Sequence, residues 1–245
     1  MIKATLKRIA RKFGVNFCST DHLGVDLEVD LARFTADAPL RTIFDVGANI
    51  GQTALRYASA FPAATIFTFE PVPATFGRLK NAVQGYRQIK AFNTALGETT
   101  GSITMTSTEP GGNNTVLQDR STTGSIDVPI DTIDSFTAAN SIETIDLLKI
   151  DVEGHELQVI KGADQILRRG QVRFIFAECV IPEDIVEPHT SFFALHQWLH
   201  QHGFSFVTYY GESFRLSDGC ALGNVLYALR TKLPSKALGR VKNIV

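Results

Sequence analysis

The spacing of apolar positions changes repeatedly along this chain, and the changes divide it into elements. From Leu40 onward, short β-rich runs alternate with stretches of helical spacing. Arg41 to Val46, Ala64 to Phe69 and Gln88 to Ala95 are predicted strands. Gln52 to Phe61 is a predicted helix stopped before Pro62, and Ala74 to Val83 is one with Phe76, Leu79 and Val83 on one face. This β-α-β-α-β order calls for a parallel sheet with helices on both faces. Two shorter strands follow, Ser102 to Thr106 and Ser125 to Ile130, separated by the polar, Gly-, Thr- and Ser-rich stretch Ser107 to Gly124. Such an insertion is either a lid or a plain mobile loop, and the pattern leaves both open. The alternation then resumes. Asp131 to Ala138 is a short helix and Thr144 to Ile150 a strand. His155 to Leu167 is a helix with Leu157, Ile160, Ala163 and Leu167 inward. Val172 to Cys179 is a strand apolar enough for a sheet centre, and Thr190 to His202 is a helix that stops at Gly203. Phe204 to Tyr210 and Ala221 to Leu229 have only a loop between them and should pair as an antiparallel hairpin.

Ahead of this region, residues 3–13 can form a basic amphipathic helix with Ile2, Leu6, Ile9 and Phe13 on one side. Asp21 to Gly24 reads as a turn, and Asp30 to Ala38 as a short helix stopped before Pro39. No linker sets this part off. The expected organisation is a helical lead-in packing on the core (1–39), one α/β domain (40–230) and a basic tail (231–245).

Composition adds exclusions. With 44% apolar and 20% charged residues, the chain can build an ordinary soluble core. No apolar run is long enough to predict a transmembrane helix. The first residues are charged where a signal peptide needs its apolar centre. Cys18, Cys179 and Cys220 are scattered with no CxxC spacing, which fits a reducing cytoplasm and argues against a disulfide framework or a structural zinc. A cytoplasmic protein is expected. The net charge of −1 hides an asymmetry: Lys3, Lys7, Arg8, Arg11 and Lys12 crowd one end, and Arg230, Lys232, Lys236, Arg240 and Lys242 the other. Basic ends could give peripheral contact with an anionic membrane, or could simply be solvated. The acidic remainder argues against a nucleic-acid partner, because phosphate contacts need a basic face.

Candidate chemistry starts at residues 43–51, IFDVGANIG. An apolar run ends in an acid and a glycine-lined turn, then passes into a helix. Asp45-x-Gly47-x-Asn49-x-Gly51 is not the dinucleotide GxGxxG pattern, since an acid near the turn repels a pyrophosphate. It would attract a cationic ligand. Glu70 ends the second strand, where a carboxylate can accept hydrogen bonds from ribose hydroxyls. Together these residues fit a nucleoside carrying positive charge, with S-adenosylmethionine the obvious candidate.

A second cluster is Lys149-Ile150-Asp151-Val152-Glu153-Gly154-His155-Glu156. Asp151 falls at the carboxyl end of the fourth long strand, the edge where open α/β sheets bind ligands. Three jobs stay open for it: orienting a substrate hydroxyl, acting as general base, or holding a divalent cation. Glu153 and Glu156 could join it or could only favour the N-terminus of the next helix. Lys149 shares side-chain parity with Asp151 and should form a salt bridge with a nearby carboxylate. Glu178 closes the apolar strand 172–179 and should sit at the cleft edge, as a site residue or in a structural ion pair. His155 follows Asp151 by one turn and is either a second candidate base or a surface residue. His196 and His200 share a helix face, but no HExxH pattern supports a zinc site.

DVGANIGQTALRYA, the strand-ending TFEP, IDLLKIDVEGHELQVIKGA and FIFAEC together resemble the FkbM family of S-adenosylmethionine-dependent methyltransferases, over about residues 40–230. The resemblance implies a class I methyltransferase fold: a Rossmann-like, seven-stranded, mostly parallel α/β sheet of order 3-2-1-4-5-7-6 with the last strand pair antiparallel. It implies methyl transfer to oxygen on sugars, glycolipids or polyketide-type metabolites. Carried over by motif, Asp45, Gly47, Asn49, Gly51 and Glu70 would bind the cofactor, while Asp151, Glu153 and Glu156 match the second motif. The expected catalytic set is Asp151 as first choice of base, with His155 and Glu178. If a divalent cation such as Mg is used, Asp151 and Glu178 would hold it. Two other classes compete. An NAD-type oxidoreductase would want bare glycines in place of Asp45 and Asn49. A non-catalytic binding module would keep the cofactor pocket as structure alone.

Overall fold

The computed structural model describes residues 22–106, 125–181, 189–215 and 220–232. The first half runs α1 (Leu27–Phe34), β1 (Thr42–Val46), α2 (Gln52–Ala60), β2 (Thr65–Phe69), α3 (Pro73–Ala82), β3 (Ile89–Phe92), β4 (Ala95–Leu96) and β5 (Gly101–Thr106). The second half runs β6 (Ser125–Asp131), α4 (Ile133–Ala139), β7 (Ile145–Ile150), α5 (Glu156–Lys161), α6 (Asp164–Arg168), β8 (Val172–Ile181), α7 (Phe192–Gln201), β9 (Phe204–Arg215) and β10 (Cys220–Leu229). Seven strands form the central sheet in the order β3-β2-β1-β7-β8-β10-β9. The first five are parallel, while β10 runs antiparallel to both β8 and β9. This is the strand order the resemblance implies, with the expected hairpin at one end.

Both faces of the sheet are covered, so its central strands are apolar almost throughout. One face packs Phe44, Phe69, Leu148 and Ile150 against α4, α5 and α6. Phe44, Phe67, Phe69 and Phe92 meet Phe136 of α4 edge-on, with ring centroids 4.8 to 6.3 Å apart. The other face packs Ile43, Ile66, Leu147 and Phe174 against Leu31 of α1, Ala54 and Tyr57 of α2 and Leu79 of α3. The chain reverses its direction of sheet growth between β1 and β7. The carboxyl ends of these two strands therefore open a crevice, which is where the site lies.

Several elements differ from the sequence reading. The first helix spans 27–34, not 30–38, because the Asp26 side chain accepts from Val29 N and starts it early. The expected helix 155–167 is two helices, α5 and α6. Gly162 caps α5 against the Gly97 carbonyl, and Ala163 restarts the chain as the cap of α6. Leu157 is only half-buried, and Val159 takes the inward place beside Ile160. β8 continues past Cys179 to Ile181, so Glu178 lies inside the strand and not at its end. The chain after β3 leaves the main sheet, and β4, β5 and β6 make a separate sheet of order β4-β6-β5. No helix of the described residues is long and apolar enough to cross a membrane. The expected basic helix 3–13, the 107–124 insertion and the tail beyond residue 232 lie outside the described residues.

Candidate functional site

β1 delivers its carboxyl end into the glycine turn. Gly47 (φ 77°) and Gly51 (φ 96°) adopt left-handed backbone, as does Asn49 between them (φ 49°). Gly47 also needs its missing side chain, since a Cβ there would lie 1.7 Å from the Asp151 carbonyl oxygen. Four N–H groups of the turn are spent internally. Gly47 N and Ala48 N donate to the Phe69 carbonyl at 3.1 and 3.0 Å, Asn49 N to Glu70 Oε2 at 3.1 Å, and Gly51 N to the Ala48 carbonyl at 2.9 Å. Glu70, at the end of β2, also accepts from Val72 N at 3.0 Å. Burial raises its pKa to about 7, against the pull of those two backbone N–H groups and of Lys149.

Asp45 was expected to face a cationic ligand. It is fully buried, and Lys149 Nζ of β7 lies 3.0 Å from its Oδ1. Lys149 also reaches Asp151 Oδ2 at 3.4 Å and donates to the Gly47 carbonyl at 3.1 Å. Burial presses the Lys149 ammonium towards neutrality, but Asp45 and Asp151 outweigh it and hold its pKa above the ordinary value. The salt bridge expected from strand parity is therefore present, and it is shared between two carboxylates.

Beyond Asp151 the chain makes a tight turn, with Glu153 (φ 55°) and Gly154 (φ 97°) left-handed. Glu156 organises it. Its buried carboxylate accepts from Val152 N at 3.0 Å, Gly154 N at 3.2 Å and the Thr190 hydroxyl at 2.5 Å. Glu156 thus supports the turn from below, while Glu153 lines the cleft above it. Burial, then the Asp151 and Glu156 charges, raise the Glu153 pKa.

The cleft has two adjoining compartments that share Gly47, Pro71, Met105 and Val152. The polar one, of about 460 Å³, is lined by Asn49, Glu70, Thr75, Asp151 and Glu153. Three of these are carboxylates, and no lysine or arginine lines it among the described residues. Asn49 Oδ1 and Thr75 Oγ1 are buried there without a hydrogen-bond partner. The larger, mainly apolar compartment, of about 780 Å³, lies between Phe69, Leu96, Ile103, Ile130 and α5.

The structure thus brings Gly47, Asn49, Glu70, Asp151 and Glu153 around one space. Gly51 caps α2 just behind it, and Asp45 sits beneath it. His155 lines the apolar compartment together with Gln158, not the polar one. Glu178 lines neither, but it lies one step beyond the last β7–β8 pair, Ile150 and Ala177, which puts it level with Asp151 on the neighbouring strand. Among the described residues no group of three or more His, Cys, Asp or Glu side chains could hold a metal ion. A hard divalent cation wants six or more oxygen ligands. The Asp151–Glu178 pair does not meet that need, and Lys149 already engages Asp151. Sequence reasoning missed Thr75, Met105 and the apolar compartment. Apolar residues at strand ends carry no local signal that separates a pocket wall from core. Thr190, expected only as a helix start, reaches Glu156 across 34 residues, a contact that only the fold reveals.

The methyltransferase FkbM domain model matches residues 45–206. The hexuronic acid methyltransferase AglP of Haloferax volcanii is 31% identical over 149 residues, which cover 59% of this chain and 59% of that protein. The 2-O-methyltransferase NoeI of Sinorhizobium fredii is 27% identical over 161 residues, covering 58% of this chain and 64% of that protein. The chain therefore spans less than two thirds of the length of either relative. Among solved structures, Aeropyrum pernix fibrillarin with bound S-adenosyl-L-methionine aligns with a TM-score of 0.46 at 16% identity, covering 77% of this chain and 66% of that one.

Proposed function

The chain belongs to the FkbM methyltransferase family, and from that premise we propose that it transfers a methyl group from S-adenosylmethionine to a hydroxyl oxygen of a glycan, glycolipid or secondary metabolite. The observation that carries this reading is the charge of the polar compartment. Glu70, Asp151 and Glu153 line it, and two of them have raised pKa values because burial and neighbouring carboxylates disfavour their charge. A cationic ligand relieves that crowding. A pyrophosphate would worsen it, and would find the Gly47, Ala48, Asn49 and Gly51 N–H groups already donated to Phe69, Glu70 and Ala48. This counts against the NAD-type oxidoreductase. The names of two relatives, one for a hexuronic acid and one for 2-O-methylation, support a sugar hydroxyl as acceptor.

The residues fit the cofactor as follows. Glu70 would accept the ribose hydroxyls, and its Oε2 already bonds Asn49 N, so the two are fixed together. The unpartnered Asn49 Oδ1 and the Glu153 carboxylate would take the cationic end. The apolar compartment would take the purine, with His155 and Gln158 on its wall. Bound S-adenosylmethionine supplies an electrophilic methyl carbon on a sulfonium. The protein's task is then alignment and exclusion of water. Asp151 lines the polar compartment and is 42% exposed in its side chain, so it can accept the proton of an incoming hydroxyl. His155 is the second candidate, because it lines the other compartment. No step here uses a metal.

The test is transfer of label from methyl-labelled S-adenosylmethionine to a panel of hexuronic-acid glycans, other sugars and metabolite alcohols. The expected result is label on oxygen. Cofactor binding with no incorporation into any hydroxyl would overturn the reading and favour a binding module.

A further inference from the structure

Lys149 sits where an apolar residue would be expected. On β7 it alternates with Leu148 and Ile150, and its own side points into the layer that holds Ile43, Leu147, Ala54 and Tyr57. It is 4% exposed. An ammonium has three donors, and here three acceptors surround it: Asp45 Oδ1 at 3.0 Å, Gly47 O at 3.1 Å and Asp151 Oδ2 at 3.4 Å. Two belong to the glycine turn of β1 and one to the acidic motif after β7, so a single side chain ties together motifs about a hundred residues apart. The contact with Asp45 is one of charge more than of aligned hydrogen bonding, because neither Asp45 oxygen has a well-directed donor. Asp45 is thus a buried counter-ion. It lines neither compartment, and its partner reaches past it to the residue that does.

We infer that Lys149 is a positioning residue. Anchored on Asp45 and the Gly47 carbonyl, its ammonium holds the Asp151 carboxylate by one oxygen and leaves the other to the cleft. Asp151 follows the last residue of β7 and is half-exposed, so its rotamer has little packing to fix it. A carboxylate that must meet an incoming hydroxyl needs a fixed direction, and displacement by an ångström is costly to rate. The ordering of motifs then becomes intelligible: Asp45 exists to hold Lys149, and Lys149 to aim Asp151. This rests on the reading of Asp151 as the acceptor-facing group.

The experiment separates aiming from folding. Lys149→Met alone leaves Asp45 buried without a counter-ion and can fail to fold. The informative variant is Lys149→Met combined with Asp45→Asn, which removes both buried charges, with Asp45→Asn alone as its reference. Its crystal structure should show Asp151 displaced from its native rotamer. At saturating cofactor and acceptor, kcat should fall about 100-fold relative to Asp45→Asn, with the cofactor Kd within about threefold of it. A double variant with Asp151 in its native place, or with the kcat of the reference, overturns the inference and leaves Lys149 a purely structural ion. If the native protein methylates no acceptor, the reading of the function fails separately. The crystallographic position of Asp151 still decides whether Lys149 aims it.

Discussion

Two residues carry the tightest constraints of the site, and each for a different physical reason. Gly47 is constrained by space. Its φ of 77° already disfavours a side chain, and a Cβ would stand 1.7 Å from the Asp151 carbonyl oxygen. That carbonyl cannot withdraw freely, because Asp151 N donates to Val46 O at 3.1 Å. Gly47→Ala should therefore destabilise the fold by about 3 kcal/mol or more, read by urea unfolding, and abolish cofactor binding. Wild-type stability in that variant would contradict the close approach of the two motifs. Glu70 is constrained by charge. Its folded pKa of about 7 lies above the ordinary glutamate value of 4.5, so the folded state favours its protonated form. Its contribution to stability is thus full below the unfolded pKa and is lost as pH rises through about 7. Binding has the opposite sign, because ribose hydroxyls and a cation both favour the carboxylate. The Kd for S-adenosylmethionine should weaken by up to about tenfold per unit as pH falls below about 7. Titration calorimetry at about pH 6 and pH 8 checks it, and a Kd flat across that range would remove Glu70 from the site. Both residues were legible in the sequence, Gly47 from its motif and Glu70 from its place at a strand end. The charge compensation of Asp45 was not. Side-chain parity pointed Lys149 to a carboxylate but could not say which, because the choice depends on β1 and β7 lying side by side with Asp45 opposite Lys149.

Among the elements, the parallel strands 42–46, 65–69 and 145–150 were legible to within a residue, whereas the expected strand 88–95 ends at Phe92, with Ala95 in the small sheet, and 172–179 runs on to Ile181. The small sheet was not. β4 is two residues long, and β5 and β6 alternate weakly, so nothing local says that they leave the main sheet to wall the apolar compartment. The break between α5 and α6 was also hidden, because Gly162 and Ala163 continue a helical pattern of burial. The reason for the break is tertiary. Gly162 has an ordinary φ of −69°, yet a Cβ on it would lie 1.9 Å from the Gly97 carbonyl oxygen, just after β4. This contact docks the small sheet on α5. Gly162→Ala should force the two apart and cost about 1–3 kcal/mol by overpacking. It should also weaken cofactor binding, since Leu96, Ile103 and Gln158 lie on opposite walls of the same compartment. Thermal unfolding and calorimetry on one preparation test both. A variant with lowered stability and unchanged Kd would mean that the small sheet is not part of the cofactor site.

At the scale of the whole molecule, the fold places the crevice and the residues decide its charge. The reversal of sheet growth between β1 and β7 brings two motifs to one edge, and nearly every titratable group they contribute is acidic: Asp45, Glu70, Asp151, Glu153 and Glu156 against Lys149. That balance selects the sign of the ligand before any contact is considered. It also yields a test that needs no acceptor. A ligand bound only by the folded state stabilises it by about 2.7 kcal/mol at a hundred times its Kd. For a chain of this size that is a rise of roughly 5–10 °C in Tm. S-adenosylmethionine should produce it, and NAD, whose pyrophosphate meets carboxylates and a turn with four of its N–H groups already bonded, should leave Tm unchanged. The rise should shrink in Asn49→Ala, which removes the buried, unpartnered carbonyl that lines the polar compartment but no charge. An equal or larger shift with NAD would reverse the electrostatic argument and bring the oxidoreductase forward. A full shift with S-adenosylmethionine in Asn49→Ala would keep the methyltransferase but move the cationic end of its cofactor to the carboxylates alone.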